Sequence, residues 1–194
     1  MRRLLVIALV CAVAGCGTER SVLPDASPDP GAQKRRLSFP HVGMAVSVPK
    51  RLLGTPRQQP SVFRGSLGNW SVGGFAYRRR EQLPRDRTEL EAARRRLVRQ
   101  ARGRGRRWRL IRSRVTRVAR TPAVELVGNQ TISRARLRTR SLHLYKGSAE
   151  YVIELLAPPR EFRRADRVLF GPLLRSLKVT GKIKPPPRKR RKSR

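Results

Sequence analysis

The chain has 194 residues, 38% of them hydrophobic, and carries 47 basic against 12 acidic side chains, a formal net charge of +35. That length suits one domain with tails and is enough to bury a sizeable core. Its two histidines, His41 and His143, lie far apart, and its two cysteines fall within the first sixteen residues, so zinc, thiol and redox chemistry lack the side chains they need. The expectation is therefore no metal, no cofactor and no catalytic residue. High genomic GC content would put arginine where lysine could stand, but it does not explain why bases so outnumber acids. A charge of this size creates a surface potential that gathers polyanions.

In chain order, the first feature is a charged start at Arg2 and Arg3, an apolar run from Leu4 to Val13, and small residues at Ala14 and Gly15. This is the layout of a secretory signal. The apolar run is too short to span a bilayer, which takes about 20 residues. The stretch Val13-Ala14-Gly15-Cys16 resembles the bacterial lipobox. That resemblance implies that the Cys16 thiolate receives a diacylglyceryl group and that cleavage before it makes Cys16 the first mature residue. Cys11 is then discarded, and two acyl chains give durable membrane anchoring where one would be marginal. The implied location is the extracytoplasmic face of the cell membrane.

Residues 16–40 hold Pro24, Pro28, Pro30 and Gly31 among small polar side chains with no apolar period, and read as a flexible tether. A chain of about 20 such residues reaches roughly 25 Å. A folded domain over 41–180 follows. Met44 to Val48, Ser71 to Tyr77, Trp108 to Val118, Ala123 to Val127, Arg136 to Tyr145 and Tyr151 to Ala157 read as strands. A hairpin is expected over Arg136 to Ala157, turning at Lys146-Gly147. Arg134, Arg136, Arg138 and Arg140 recur at period 2 and so share one sheet face. Helical spacing over 89–102, with Thr88 and Glu91 at capping-box distance, predicts a helix whose polar face holds Arg94, Arg95, Arg99 and Arg102. A second helix is expected over 161–177, broken at Gly171-Pro172, then a terminal strand at 178–180. Residues 181–194 form a basic tail, predicted to be disordered because like charges repel and Pro185 to Pro187 resist packing.

This order predicts an α+β domain, an antiparallel sheet of about six or seven strands covered by two helices. An entry strand ending in Val48-Pro49, a central helix, a long meander, the hairpin Leu142 to Leu156, then Ala157-Pro158-Pro159, Phe162, Phe170 and Ser176-Leu177-Lys178 resemble the PsbP and Mog family of α/β/α sandwich domains. The resemblance covers most of 41–180. It implies a non-enzymatic scaffold or assembly role, as in photosystem and small-GTPase-binding relatives, and transfers no binding residue.

Three functional readings follow. In the first, Arg94, Arg95, Arg99 and Arg102, the strand residues Arg136, Arg138 and Arg140, and the tail residues Lys182, Lys184, Arg188, Lys189, Arg190, Arg191, Lys192 and Arg194 bind anionic lipids or acidic wall polymers. Each base near an anionic surface contributes about 1 kcal/mol. In the second, a groove between sheet and helices receives an envelope protein, making the chain an assembly factor. In the third, which requires that the signal is not used, the bases contact nucleic acid and Trp108 stacks on a base; export argues against it. Glu150 and Glu154, on one face of a strand, are expected to pair with arginines rather than perform acid catalysis. His143 reads as a packed side chain. The oligomeric state is left open by the sequence.

Overall fold

A computed structural model describes residues 28–54, 60–103 and 108–184. The expected signal, Cys16 and Arg188 to Arg194 lie outside them. In chain order the elements are β1 (Lys34–Phe39), a 3-10 turn (Pro40–Val42), β2 (Met44–Pro49), β3 (Ser61–Leu67), β4 (Trp70–Arg78) and α1 (Arg87–Arg102). There follow β5 (Trp108–Val118), β6 (Thr121–Ile132), β7 (Ala135–Lys146), β8 (Ala149–Ala157), α2 (Phe162–Ala165), a π-helical stretch (Asp166–Phe170), α3 (Gly171–Ser176) and β9 (Lys178–Val179).

Alternation of apolar side chains drives the sheet. Along β8, Ala149, Tyr151, Ile153, Leu155 and Ala157 all point to one buried face, as a period of two requires. The strands pair antiparallel in the order β3-β4-β8-β7-β6-β5. The expected hairpin is present, with Lys146 opposite Ala149 and Gly147 at φ 59° in the turn. Two further hairpins turn at Ala119-Arg120 and Ser133-Arg134, all four residues at positive φ. This is the handedness that two-residue hairpin loops favour, achieved here without glycine or asparagine. Arg134 thus lies in a turn, outside the period-2 row that Arg136, Arg138 and Arg140 form.

A second, three-stranded sheet in the order β1-β2-β9 accompanies the six-stranded one. The tether expected to run to residue 40 therefore gives way to strand at Lys34. The reason is local: Lys34, Arg35 and Arg36 are exposed, and only Leu37 and Phe39 turn inward, so the strand has almost no apolar signature. β3 likewise lacks a clear strand signature, because a register shift between Ser61 and Phe63 interrupts its alternation.

Three layers result. On one face of the six-stranded sheet, the C-terminal helical run and the small sheet enclose the main core, including Trp70, Leu142, Tyr151, Ile153, Leu169 and Phe170. On the other face, α1 covers a smaller cluster of Leu90, Ala93, Val124 and Tyr145. The helix is capped two residues earlier than its sequence suggests: Asp86 accepts from the Glu89 N–H at 2.8 Å, and Glu89 accepts from the Arg85 N–H at 2.7 Å. Thr88 sits inside the first turn and Glu91 pairs with Arg94 instead. At the C-terminal end the helix does not break at Pro172. The Gly171 N–H reaches back to the Asp166 carbonyl, and this wider turn absorbs the missing proline N–H without ending the helix.

Side-chain hydrogen bonds join the layers. Glu161, at the start of the helical run, accepts from the Trp70 indole at 2.6 Å and from Asn69 at 2.8 Å. The Tyr151 hydroxyl donates to the Val42 carbonyl and accepts from the Gly181 N–H. Ser176 accepts from the Ser47 N–H at 2.8 Å. Each ties residues distant in sequence into one core.

Candidate functional site

The basic residues expected to form one surface divide among three places. On α1, Arg95, Arg99 and Arg102 are exposed and have no acidic partner among the described residues. Arg94 is half-buried, its guanidinium donating to Glu91 at 2.6 Å and to the Ser113 hydroxyl at 2.9 Å. On β7, Arg136 is exposed, whereas Arg138 donates to Asn129 and lies 5.6 Å over the Phe162 ring. Arg140 is drawn further in, 5.5 Å over the Phe170 ring. Period 2 places Arg138 and Arg140 on the face that the C-terminal helix covers, so ring faces and carboxylates receive their charges. Lys182 and Lys184 are exposed where the chain leaves the small sheet. They lie on the opposite side of the six-stranded sheet from α1, so the bases do not form a single patch.

Glu125 gathers arginines from β5 and β7. It projects from β6 onto the main core face, opposite Leu142 on one side and Arg114 on the other, and is 0% exposed. Arg112 donates to one oxygen at 2.7 Å and Arg114 to the other at 2.8 Å, with Arg140 at 3.5 Å. Arg140 also donates to Asp166 at 2.6 Å. Burial pushes the Glu125 carboxyl up, but the Arg112 hydrogen bond, the Arg140 charge and Arg114 outweigh it and hold the group below the ordinary carboxylate range. Arg112 and Arg114 belong to an edge strand, where guanidinium side chains also discourage strand addition by another copy.

A separate cleft of ≈ 370 Å³ lies between the C-terminal half of α1 and the part of the sheet that α1 leaves open. Phe75, Tyr77 and Trp108 line it alongside Arg79, His143 and Glu150. The Arg79 Nε donates to Glu150 at 2.7 Å, with a second contact through Nη2, and His143 Nδ1 lies 2.7 Å from the other Glu150 oxygen. Burial raises the Glu150 carboxyl, while His143 and Arg79 lower it by more, so it is held ionised. An ionised Glu150 accepts the Nδ1 proton of His143. The expectation that Glu150 pairs with arginine is met, and His143 is packed against it. The partner, Arg79, was not singled out from the sequence, because nothing local marks it among Arg78, Arg79 and Arg80.

Every Asp and Glu among the described residues is engaged within the molecule. No group of three His, Cys, Asp or Glu side chains among the described residues is placed to hold a metal ion. None of the described helices is long and apolar enough to cross a membrane.

No family model matches the chain, and no curated sequence relative matches it. Solved structures do share its fold. Cyanobacterial PsbP (CyanoP) from Synechocystis sp. PCC 6803 is similar at a TM-score of 0.59 and 10% identity, over 77% of this chain and 94% of that one. LpqN, involved in cell envelope biogenesis of Mycobacterium tuberculosis, is similar at a TM-score of 0.53 and 10% identity, over 76% and 91%. A protein from Bacteroides thetaiotaomicron VPI-5482 matches at 0.54 and 7% identity, and this chain spans 48% of its length. At such identities the likeness is one of fold: the domain has the PsbP-like α+β architecture.

Proposed function

We propose that this PsbP-like domain belongs to a lipid-anchored extracytoplasmic protein, non-enzymatic, that binds anionic components of the cell envelope through arginines its own acids leave unneutralised. One observation carries the reading. The described carboxylates are engaged by internal partners, so exposed bases such as Arg95, Arg99 and Arg102 present uncompensated charge. Export supports it, since the Val13-Ala14-Gly15-Cys16 motif would place that charge among acidic lipids and wall polymers. The fold shared with an envelope-biogenesis protein is consistent with the same compartment.

The layered geometry assigns different tasks to different bases. The C-terminal end of the described chain, where the Lys184 N–H donates to the His41 carbonyl, leaves from the layer opposite α1, and the N-terminal end at Pro28 lies beside Gly68 in the β3–β4 turn. A basic tail attached to the layer opposite α1 would turn that layer to the membrane and α1 outward, toward acidic polymer.

Fatty-acid labelling tests the anchor: wild type takes up label and Cys16→Ser does not. A mature chain that retains Met1 in the cytosol overturns the proposal. Residues 16–194 carrying Cys16→Ser should bind polyglutamate and anionic vesicles at low salt and release them as salt rises. Replacing Arg95, Arg99 and Arg102 by Gln removes about 1 kcal/mol each, lowering association up to about a hundredfold. A second reading, a protein partner held in the cleft beneath α1, draws on that cleft's aromatic lining and differs by surviving high salt in a pull-down.

A further inference from the structure

A carboxylate with no solvent exposure, on the sheet face that holds the main core, is costly unless it is fully paired. Glu125 is over-paired. Three guanidinium groups converge on it, and with Asp166 the cluster holds three positive charges against two negative. Each guanidinium carries five N–H donors, more than two carboxylates can accept. The Arg140 Nε is buried without a hydrogen-bond partner, and the side chains of Arg112 and Arg114 stay 55% and 53% exposed. The cluster therefore has donors to spare, held side by side by the buried acid.

Next to it runs a trough of ≈ 480 Å³. Arg114 and Arg140 form one wall and Arg175 of α3 the other, over Val118, Leu142 and Leu174. Arg175 has no acidic partner among the described residues. The trough opens on the α3 side of the six-stranded sheet, the side from which the chain leaves at Lys184.

We propose that this trough is a discrete site for an anionic phosphate headgroup borne on a lipid. The phosphate oxygens accept from Arg114 and Arg175, whose planar forks suit bidentate phosphate contacts. Arg140, fixed by Asp166 and Glu125, adds charge from behind, and the adjoining hydrocarbon lies on Val118 and Leu174. Glu125 acts as a positioning residue that pre-arranges the donors. This inference rests on the proposed affinity for anionic envelope components and names one place and one ligand chemistry for it.

The test uses residues 16–194 with Cys16→Ser, short-chain phosphatidic acid below its micelle concentration, and NMR of arginine Nε–H and methyl signals. Saturable shifts are expected at Arg114, Arg140 and Arg175 and at the methyls of Val118 and Leu174. R114Q/R175Q weakens binding at least tenfold, and R175Q alone, which breaks no hydrogen bond or ion pair seen among the described residues, at least threefold. The α1 variant R95Q/R99Q/R102Q, which removes more charge, changes it less than twofold. Equal loss in the α1 variant would show diffuse attraction, overturning the site while leaving the proposed function intact. Inorganic phosphate binding as tightly as the lipid would make free phosphate the ligand and overturn the lipid assignment. Equal shifts with short-chain phosphatidylcholine would overturn anionic recognition. Failure of the lipid together with failure on vesicles and polyglutamate would remove both readings.

Discussion

Replacing Glu125 by Gln keeps the side-chain volume and one acceptor while deleting the charge that three arginines share. Truncating one member of a buried ion pair costs about 3–5 kcal/mol when the remaining charge is stranded. Here the stranding is partial. Arg112 and Arg114 are more than half exposed and can rehydrate, and Arg140 keeps Asp166. The expected loss at neutral pH is therefore about 1.5–3 kcal/mol. Urea unfolding followed by the fluorescence of buried Trp70 should show a lower midpoint with an unchanged slope. Arg112→Gln, which leaves two arginines on Glu125, should cost less than about 1 kcal/mol. The pH dependence separates charge from packing. The Glu125 carboxyl is held below its ordinary value of 4.5, so its contribution is complete above that pH and disappears as pH falls through the lowered folded-state value. The gap between wild type and Glu125→Gln should thus close on acidification. A Gln variant as stable as wild type at neutral pH, or a gap that persists in acid, refutes the argument.

Three further perturbations probe other parts of the structure. Arg79→Met leaves the nearly buried Glu150 with His143 alone and should cost about 2–4 kcal/mol near neutral pH, less in acid where Glu150 is protonated; calorimetry across pH decides it. Glu161→Ala strips acceptors from the Trp70 indole and Asn69 and should lower stability by about 1–3 kcal/mol, with a Trp70 emission change that an exposed-surface control such as Arg163→Ala does not produce. Gly74→Ala would put a methyl 2.2 Å from a Phe63 ring carbon; overpacking of this kind costs about 1–3 kcal/mol, and a wild-type thermal midpoint would show the β3–β4 contact to be looser than described.

Much of the architecture was legible from spacing. The alternation in 149–157 and the glycine at 147 specified the central hairpin, and the period of Leu90, Ala93 and Leu97 specified α1 and its buried face. β1 and β3 were not legible, one because charged residues occupy most of its positions and the other because a bulge interrupts its pattern. Pro172 misled for a different reason: its missing N–H forbids an ordinary α-helical bond but not the wider turn that the chain adopts. Of the candidate site, residue type was visible and availability was not. Arg95 and Arg140 read alike in the sequence, yet one is solvated and the other is bonded to Asp166 and Glu125.

What the sequence determined by itself is whatever depends on near neighbours: strand and helix periods and the exposed face of α1. The tertiary structure alone decided which charges are free. Coulombic and hydrogen-bond energies depend on distance in space, and the pairs that matter here, Arg79 with Glu150 and Arg140 with Asp166, join residues 71 and 26 positions apart. Folding the sheet brought the few acids onto particular arginines, and the arginines left over became the surface.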